Sequence, residues 1–238
     1  MNMASPLKVL LILSSAITQQ VSLTPPNVPS SNEIIRQTFN ELVFTRLIIY
    51  GSPIMQAIYW IFSFTEIAII ASHTADYLSV IQSIAQYAVG HRIYDTPITF
   101  PFVLGTTLAV AGGLIRWWCF STLGRLFTFQ LSVRKGHHLV TTGPYAVVRH
   151  PSYTGGCMQM FGMIILHGSP TSWLRHSGVL DIFGLKLAVM AWLAGMAVVF
   201  ISYLFRVHEE DEALKSAFGD EWARWAKVVK YRLIPGIY

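Results

Sequence analysis

Hydrophobic positions run in long blocks along this chain rather than in short periodic stripes. Roughly Ala4 to Leu23, Ser52 to Ser72, Ile98 to Phe120, Tyr153 to His167 and Leu180 to Phe205 are nearly uninterrupted. A helix needs about 20 mostly apolar residues to cross about 30 Å of hydrocarbon, so these five stretches are predicted to be transmembrane helices. The fourth is short and is closed by Gly168-Ser169-Pro170, which leaves a tilted or re-entrant path open for it. Leu23-Thr24-Pro25-Pro26 ends the first helix, because proline lacks the N–H and disfavours helix in the residue before it. Residues 73 to 97, where His73, Asp76, His91, Arg92 and Asp95 stand among apolar residues, read as a connector with room for a surface helix. The expected fold is an all-α, polytopic membrane bundle of about five spans, one domain over residues 1–238.

Beyond Phe205 the pattern changes. Leu214, Phe218, Trp222, Trp225 and Val229 recur at spacings of three and four, predicting a helix that runs out of the last span with an apolar stripe able to lie on the bilayer surface. Its first turns hold Glu209, Glu210, Asp211 and Glu212 together.

Composition supports the membrane reading. Of 238 residues, 53% are hydrophobic and 12% charged, with a mean hydropathy of +0.49. Soluble domains carry roughly 25% charged residues, so this chain lacks the polar surface to cover itself in water. The net charge of +5 needs no nucleic acid to explain it. If all five stretches cross, Arg36, Arg46, Arg125, Arg134, Lys135, Arg149, Arg206, Lys215, Arg224, Lys227, Lys230 and Arg232 fall on one side; Lys8, Arg92 and Arg175 fall on the other. Positive residues favour the cytoplasm, which puts the loop before residue 153 and the C-terminal tail in the cytosol. The same count favours the N-terminal block as a retained span over a cleaved signal. Cys119 and Cys157 suggest neither a disulfide framework nor a zinc site.

The chemically loaded stretch is VTTGPYAVVRHPSYTG, residues 140 to 155. Gly143-Pro144-Tyr145 favours a tight turn, and Pro151 suits the first turn of a resuming helix. Such a segment fixes the directions of Tyr145, Arg149, His150 and Tyr153 at the membrane face. Backbone donors at the helix start favour a carboxylate or phosphate. An interfacial belt of snorkelling Arg and His is the competing reading, and the residues alone leave it open. Arg206 lies three and four residues before Glu209 and Glu210, on one helical face; a solvated ion pair and a grip on opposite charges both fit. His137, His138 and His150 are too few and too poorly spaced for a metal site. GxSxG, GxxxxGK[ST] and GxGxxG are absent. Glu66, inside the second block, is an intramembrane ionisable residue with no assigned role.

Gln130, His137-His138-Leu139-Val140, Thr142-Gly143-x-Tyr145, Arg149-His150-Pro151-Ser152-Tyr153-x-Gly155 and Arg206-x-x-Glu209-Glu210 followed by Phe218-Gly219 keep an order and spacing that resembles the isoprenylcysteine carboxyl methyltransferases. Arg232-Leu233-Ile234-Pro235-Gly236 is similar to the ending of fungal members, and the chain looks like a short version. The resemblance implies an endoplasmic reticulum membrane enzyme with a cytosolic C-terminus, whose catalytic core spans 98–238 behind N-terminal spans and a connector at 1–97. It implies S-adenosyl-L-methionine as cofactor, contacted by Gln130, His137, His138, Leu139, Val140, Tyr145, His150, Pro151, Ser152, Tyr153 and Glu210. Arg206 would face the substrate, the C-terminal carboxylate of a prenylated protein or peptide, with membrane lipid around it and no metal. Roles for Arg149 and Glu209 stay unassigned. A carboxylate is ionised at neutral pH, so its methylation needs no general base. Two other membrane enzymes remain as alternatives: phospholipid N-methyltransferases and NADPH-dependent sterol reductases.

Overall fold

Helices form in all five long apolar blocks. The computed structural model describes residues 4–35, 38–72, 97–134, 136–170, 172–176 and 178–238. Helix α1 covers Ala4–Leu23 and stops where the prolines begin. Helix α2, Phe39–Arg46, starts at Thr38, whose side chain accepts the Glu41 amide and supplies one of the partners a helix start lacks. A π-turn at Leu47–Gly51 carries the chain into α3, Ser52–Ser72. Then follow α4 (Phe100–Leu123), α5 (Pro151–Gly168), α6 (Phe183–Phe218) and α7 (Asp220–Val228). Among the described residues, four segments are long and apolar enough to cross a membrane: Pro6–Leu23, Phe39–Ala71, Phe100–Leu126 and Phe183–Phe218. The fourth expected span is helical as α5 but is not one of these. Ser152, Thr154, Gln159 and four glycines dilute its hydropathy. The expected connector at residues 73–97 lies, apart from its last residue, outside the described residues.

The chain divides into two compact units. The first comprises Met1–Gln20, Met55–Ala111 and Met158–Ala194. Its apolar clusters join Ile12, Ile70, Phe102 and Leu166, and then Ala16, Tyr59 and Met163. Helices α4 and α5 touch here backbone to backbone: a Cβ on Gly162 would stand 2.5 Å from Ala109 N, and one on Gly105 would stand 2.7 Å from Leu166 N. Small residues are what allow helices to approach so closely where lipid offers no hydrophobic drive to pack them. Inside this unit Tyr59 donates to Ser15 Oγ at 2.9 Å, and Glu66 pairs with Lys8 at 3.0 Å.

The second unit comprises Val21–Ile54, Gly112–Cys157 and Gly195–Tyr238. Its core gathers Cys119, Phe120, Phe127, Tyr145, Trp225 and Val229. Arg116, buried on α4, donates to Ser22 O and to Ser152 Oγ, tying the end of α1 to the start of α5. The 33–35 segment runs antiparallel to 131–133 through one bridge, Ile34 with Ser132, and two flanking amide bonds.

The later part of the C-terminal stripe packs into protein. Helix α6 runs on to Phe218, and Gly219, at φ 51, breaks it before α7. The break turns Trp225 and Val229 into the core, with Trp222 packed against them. Periodicity marked an apolar face, and protein covers its Trp225 and Val229.

Candidate active site

Residues of the second unit surround a cleft enclosing about 1060 Å³ of space, its open mouth included. Gln130, His137, His138, Leu139, Val140, Tyr145, His150, Ser152, Tyr153, Arg206 and Glu210 all line it, with Arg149. Pro151 is buried at the first turn of α5, behind the wall rather than on it.

Each wall has a local cause. A tight 3-10 turn at Gly143–Ala146 begins at Gly143, whose φ of 59 suits a residue without a side chain. A Cβ there would also press to 3.0 Å of Thr122 Oγ1. The turn drives Tyr145 inward, where burial, followed by neighbouring Cys119, raises its pKa well above that of an ordinary tyrosine and keeps the hydroxyl protonated. The RHP loop is then clamped from the C-terminus: Arg149 N and His150 N donate to Tyr231 O and Arg232 O, each at 2.9 Å. Thr154 Oγ1 adds a bond to Leu233 O at 2.7 Å.

Helix α6 supplies the facing polar groups. Tyr153 donates to Glu210 Oε2 at 2.7 Å, and the His150 ring stacks on Tyr153 with 5.8 Å between centroids. His150 Nε2 donates to Asp211 Oδ1 at 3.0 Å, while its Nδ1 lies 3.6 Å from Glu210 Oε2. Asp211 is 1% exposed and also accepts from Arg149 Nη1 at 2.8 Å and Arg232 Nε at 3.0 Å. Arg206, 4% exposed, lies 4.5 Å over the Phe44 ring and pairs with Glu41 at 3.2 Å. Its ion-pair partner comes from α2, not from the next turn of its own helix. Glu209 instead accepts from Thr38 Oγ1 at 2.8 Å. On the opposite wall His137 accepts from Arg134 N at Nδ1, and burial, then His138, lowers its pKa. A neutral ring is thus favoured there.

Burial opposes a charge on His150, but its contacts with Asp211 and Glu210 outweigh burial and raise its pKa above the ordinary histidine value. Such a group stabilises the folded state fully below its unfolded pKa of about 6.5, and the contribution is lost as pH climbs through the raised value. Thermal midpoints measured from acid to mildly alkaline pH are therefore expected to fall across that window for wild type. His150→Gln should flatten this part of the profile, and an equally steep fall in the variant would contradict the assignment.

Three residues that hold this site were not singled out from the pattern: Asp211, Arg232 and Glu41. A signal existed for Asp211, which lies four residues after Val207 and eight after Tyr203. It thus continues a buried face that the neighbouring glutamate pair obscures. Glu41 carried no such signal, because its partners come from other elements.

The sequence model of the isoprenylcysteine carboxyl methyltransferase (ICMT) family matches residues 103–180. A protein-S-isoprenylcysteine O-methyltransferase B of Arabidopsis thaliana is 28% identical over 52% of this chain and 55% of its own. A protein-S-isoprenylcysteine O-methyltransferase of Xenopus laevis is 28% identical over 66% of this chain and 50% of its own. A Delta(14)-sterol reductase of Neurospora crassa is 25% identical over 45% and 25% respectively. The chain thus spans between a quarter and just over half of the length of these curated relatives. No solved structure matches it significantly. The matched stretch holds the 130–140 wall, the Gly143 turn and the RHP loop, and ends before α6. Residues 103–180 are thus similar in sequence to the isoprenylcysteine carboxyl methyltransferase family.

Proposed function

We propose that this chain methylates the C-terminal isoprenylcysteine carboxylate of prenylated CaaX proteins, using S-adenosyl-L-methionine, at the cytosolic face of the endoplasmic reticulum membrane. One observation carries this reading. Arg206 is a buried guanidinium on the cleft wall, paired through Nη1 with Glu41, and its Nε has no hydrogen-bond acceptor among the described residues. Donors arranged that way suit a planar anion such as a carboxylate.

The other walls suit a cationic, partly aromatic cofactor. Glu210 supplies negative charge, with Tyr153 and His150 fixing its position. Leu139, Val140 and Tyr145 supply apolar surface, and Trp225, whose buried indole N–H has no acceptor among the described residues, adds a donor. When bound, S-adenosyl-L-methionine supplies an electrophilic methyl on a sulfonium and departs as a neutral thioether. The protein need supply no base, since the accepting carboxylate oxygen already carries its electron pair and no proton moves. Its contribution is orientation, which in favourable intramolecular cases is worth about 7–11 kcal/mol. Arg206 aims the carboxylate, and Glu210 and Tyr153 hold the donor side. Apolar wall residues such as Phe44, Ile48 and Leu131 shelter the lipid end, each buried CH₂ contributing about 0.8 kcal/mol.

The test uses purified protein, tritiated methyl donor and a farnesylcysteine analogue. Glu210→Gln is expected to raise the KM for the methyl donor about tenfold or more, the worth of one charge-assisted hydrogen bond, with the KM for the carboxylate nearly unchanged. Absence of methylation by folded wild type would sink the substrate assignment. The similarity to a sterol reductase supports a second reading, in which the cleft takes NADPH. Saturating ligand at 100 times its Kd stabilises a protein by about 2.7 kcal/mol. A rise in thermal midpoint with S-adenosyl-L-methionine and none with NADPH selects the methyltransferase, and the converse selects the reductase.

A further inference from the structure

We infer that Glu41, on a helix outside the family-matched stretch, is a positioning residue that sets both the orientation and the net charge of Arg206. Its role as stated for substrate rests on the carboxylate reading above.

Helix α2 meets α6 through residues three apart along one face. Thr38 Oγ1 donates to Glu209 Oε1 at 2.8 Å, and Glu41 Oε2 lies 3.2 Å from Arg206 Nη1. Phe44 then lies under the guanidinium, with its ring 5.6 Å from that of Tyr203. The other Glu41 oxygen accepts the Leu131 amide at 2.9 Å, beside Gln130 on the cleft wall. One carboxylate therefore links α2, the 130–140 wall and Arg206. The pairing of residues 33–35 with 131–133 holds α2 in that place.

Glu41 and Arg206 are 3% and 4% exposed and form a buried ion pair, with Tyr153 and Glu210 also acting on Arg206. That has a consequence for an anionic nucleophile. A buried guanidinium without a counter-ion would hold a carboxylate too well in the ground state, and such binding lowers KM without speeding the chemical step. With Glu41 present, part of the Arg206 charge is offset before the carboxylate arrives. Nε, which has no acceptor among the described residues, still aims the incoming carboxylate, and the neutral ester is not retained.

The test is Glu41→Gln, which keeps an oxygen for the Leu131 amide and removes the charge. It is expected to lower both the KM for N-acetyl-S-farnesylcysteine and kcat, the KM by about tenfold, on the scale of one charge-assisted hydrogen bond. Binding of S-adenosylhomocysteine should stay as in wild type. An unchanged or raised carboxylate KM would overturn the charge-setting role. A double-mutant cycle on thermal stability, with Glu41→Gln, Arg206→Gln and the pair, decides the coupling without any assay of activity. The pair is expected to be less destabilised than the two single changes summed, and strict additivity would overturn the inference. If wild type methylates no prenylcysteine, the proposed function fails, while the cycle still decides whether Glu41 positions Arg206.

Discussion

Asp211→Asn is expected to destabilise the protein by about 3 kcal/mol, the low end of what breaking a buried ion pair costs. The variant should melt about 6–12 °C lower in detergent, taking about 2–4 °C per kcal/mol for a chain of this size. Asp211 Oδ2 accepts from two arginines and Oδ1 from His150. An asparagine side chain offers one oxygen and one NH₂ group. Whichever way it turns, its amide faces donors on one side, and a buried guanidinium or imidazolium loses its acceptor. The low end of the range applies because Arg232 is partly exposed and water can take up some of its loss. Function should suffer in the same variant, because Asp211 orients His150, and the Arg149 and Arg232 side chains it holds flank the backbone clamp between the RHP loop and the C-terminus. A thermal midpoint within about 2 °C of wild type would show that Asp211 is not the hub described.

Arg206→Lys should reduce kcat/KM for the prenylated carboxylate by about 30- to 4000-fold, corresponding to about 2–5 kcal/mol for a truncated buried charge contact. Charge is retained in this variant, so the loss isolates geometry. The guanidinium lies 4.5 Å over the Phe44 ring and pairs with Glu41, with Nε left to meet an anion. An ammonium on a flexible stem reproduces neither the stacking nor the planar fork. Methyl-donor affinity should change little, because Glu210, Tyr153 and His150 form that side of the cleft through contacts of their own. A variant with wild-type carboxylate KM and kcat would remove Arg206 from the substrate site.

The two variants probe residues of very different legibility. Arg206 stood out because it precedes a glutamate pair at helical spacing beside an apolar block. Asp211 lay in the same acidic cluster, yet nothing in the cluster ranked its four members. The structure separates them by their positions around α6: Asp211 turns into the core with Tyr203 and Val207, Glu210 faces the cleft, and Glu209 reaches Thr38. The course of that helix was legible: the segment from Phe205 was expected to run on out of the last span, and with no strong helix breaker before Gly219 α6 does so and carries Glu210 and Asp211 into the site.

The amino-acid sequence by itself determined where the chain is helical and apolar, where the prolines and glycines interrupt it, and which segments concentrate polar chemistry. These properties are local: hydrocarbon thickness sets block length, and backbone sterics set the breaks. Only the tertiary structure decided what covers each face and which charges meet. The stripe through Trp222 and Trp225 packs into protein because the turn at Gly219 redirects it. Arg206 pairs with Glu41 rather than Glu210 because the 33–35 and 131–133 segments hold α2 over the cleft. A buried charge takes the partner that the packed chain brings to it, whatever its neighbours along the helix.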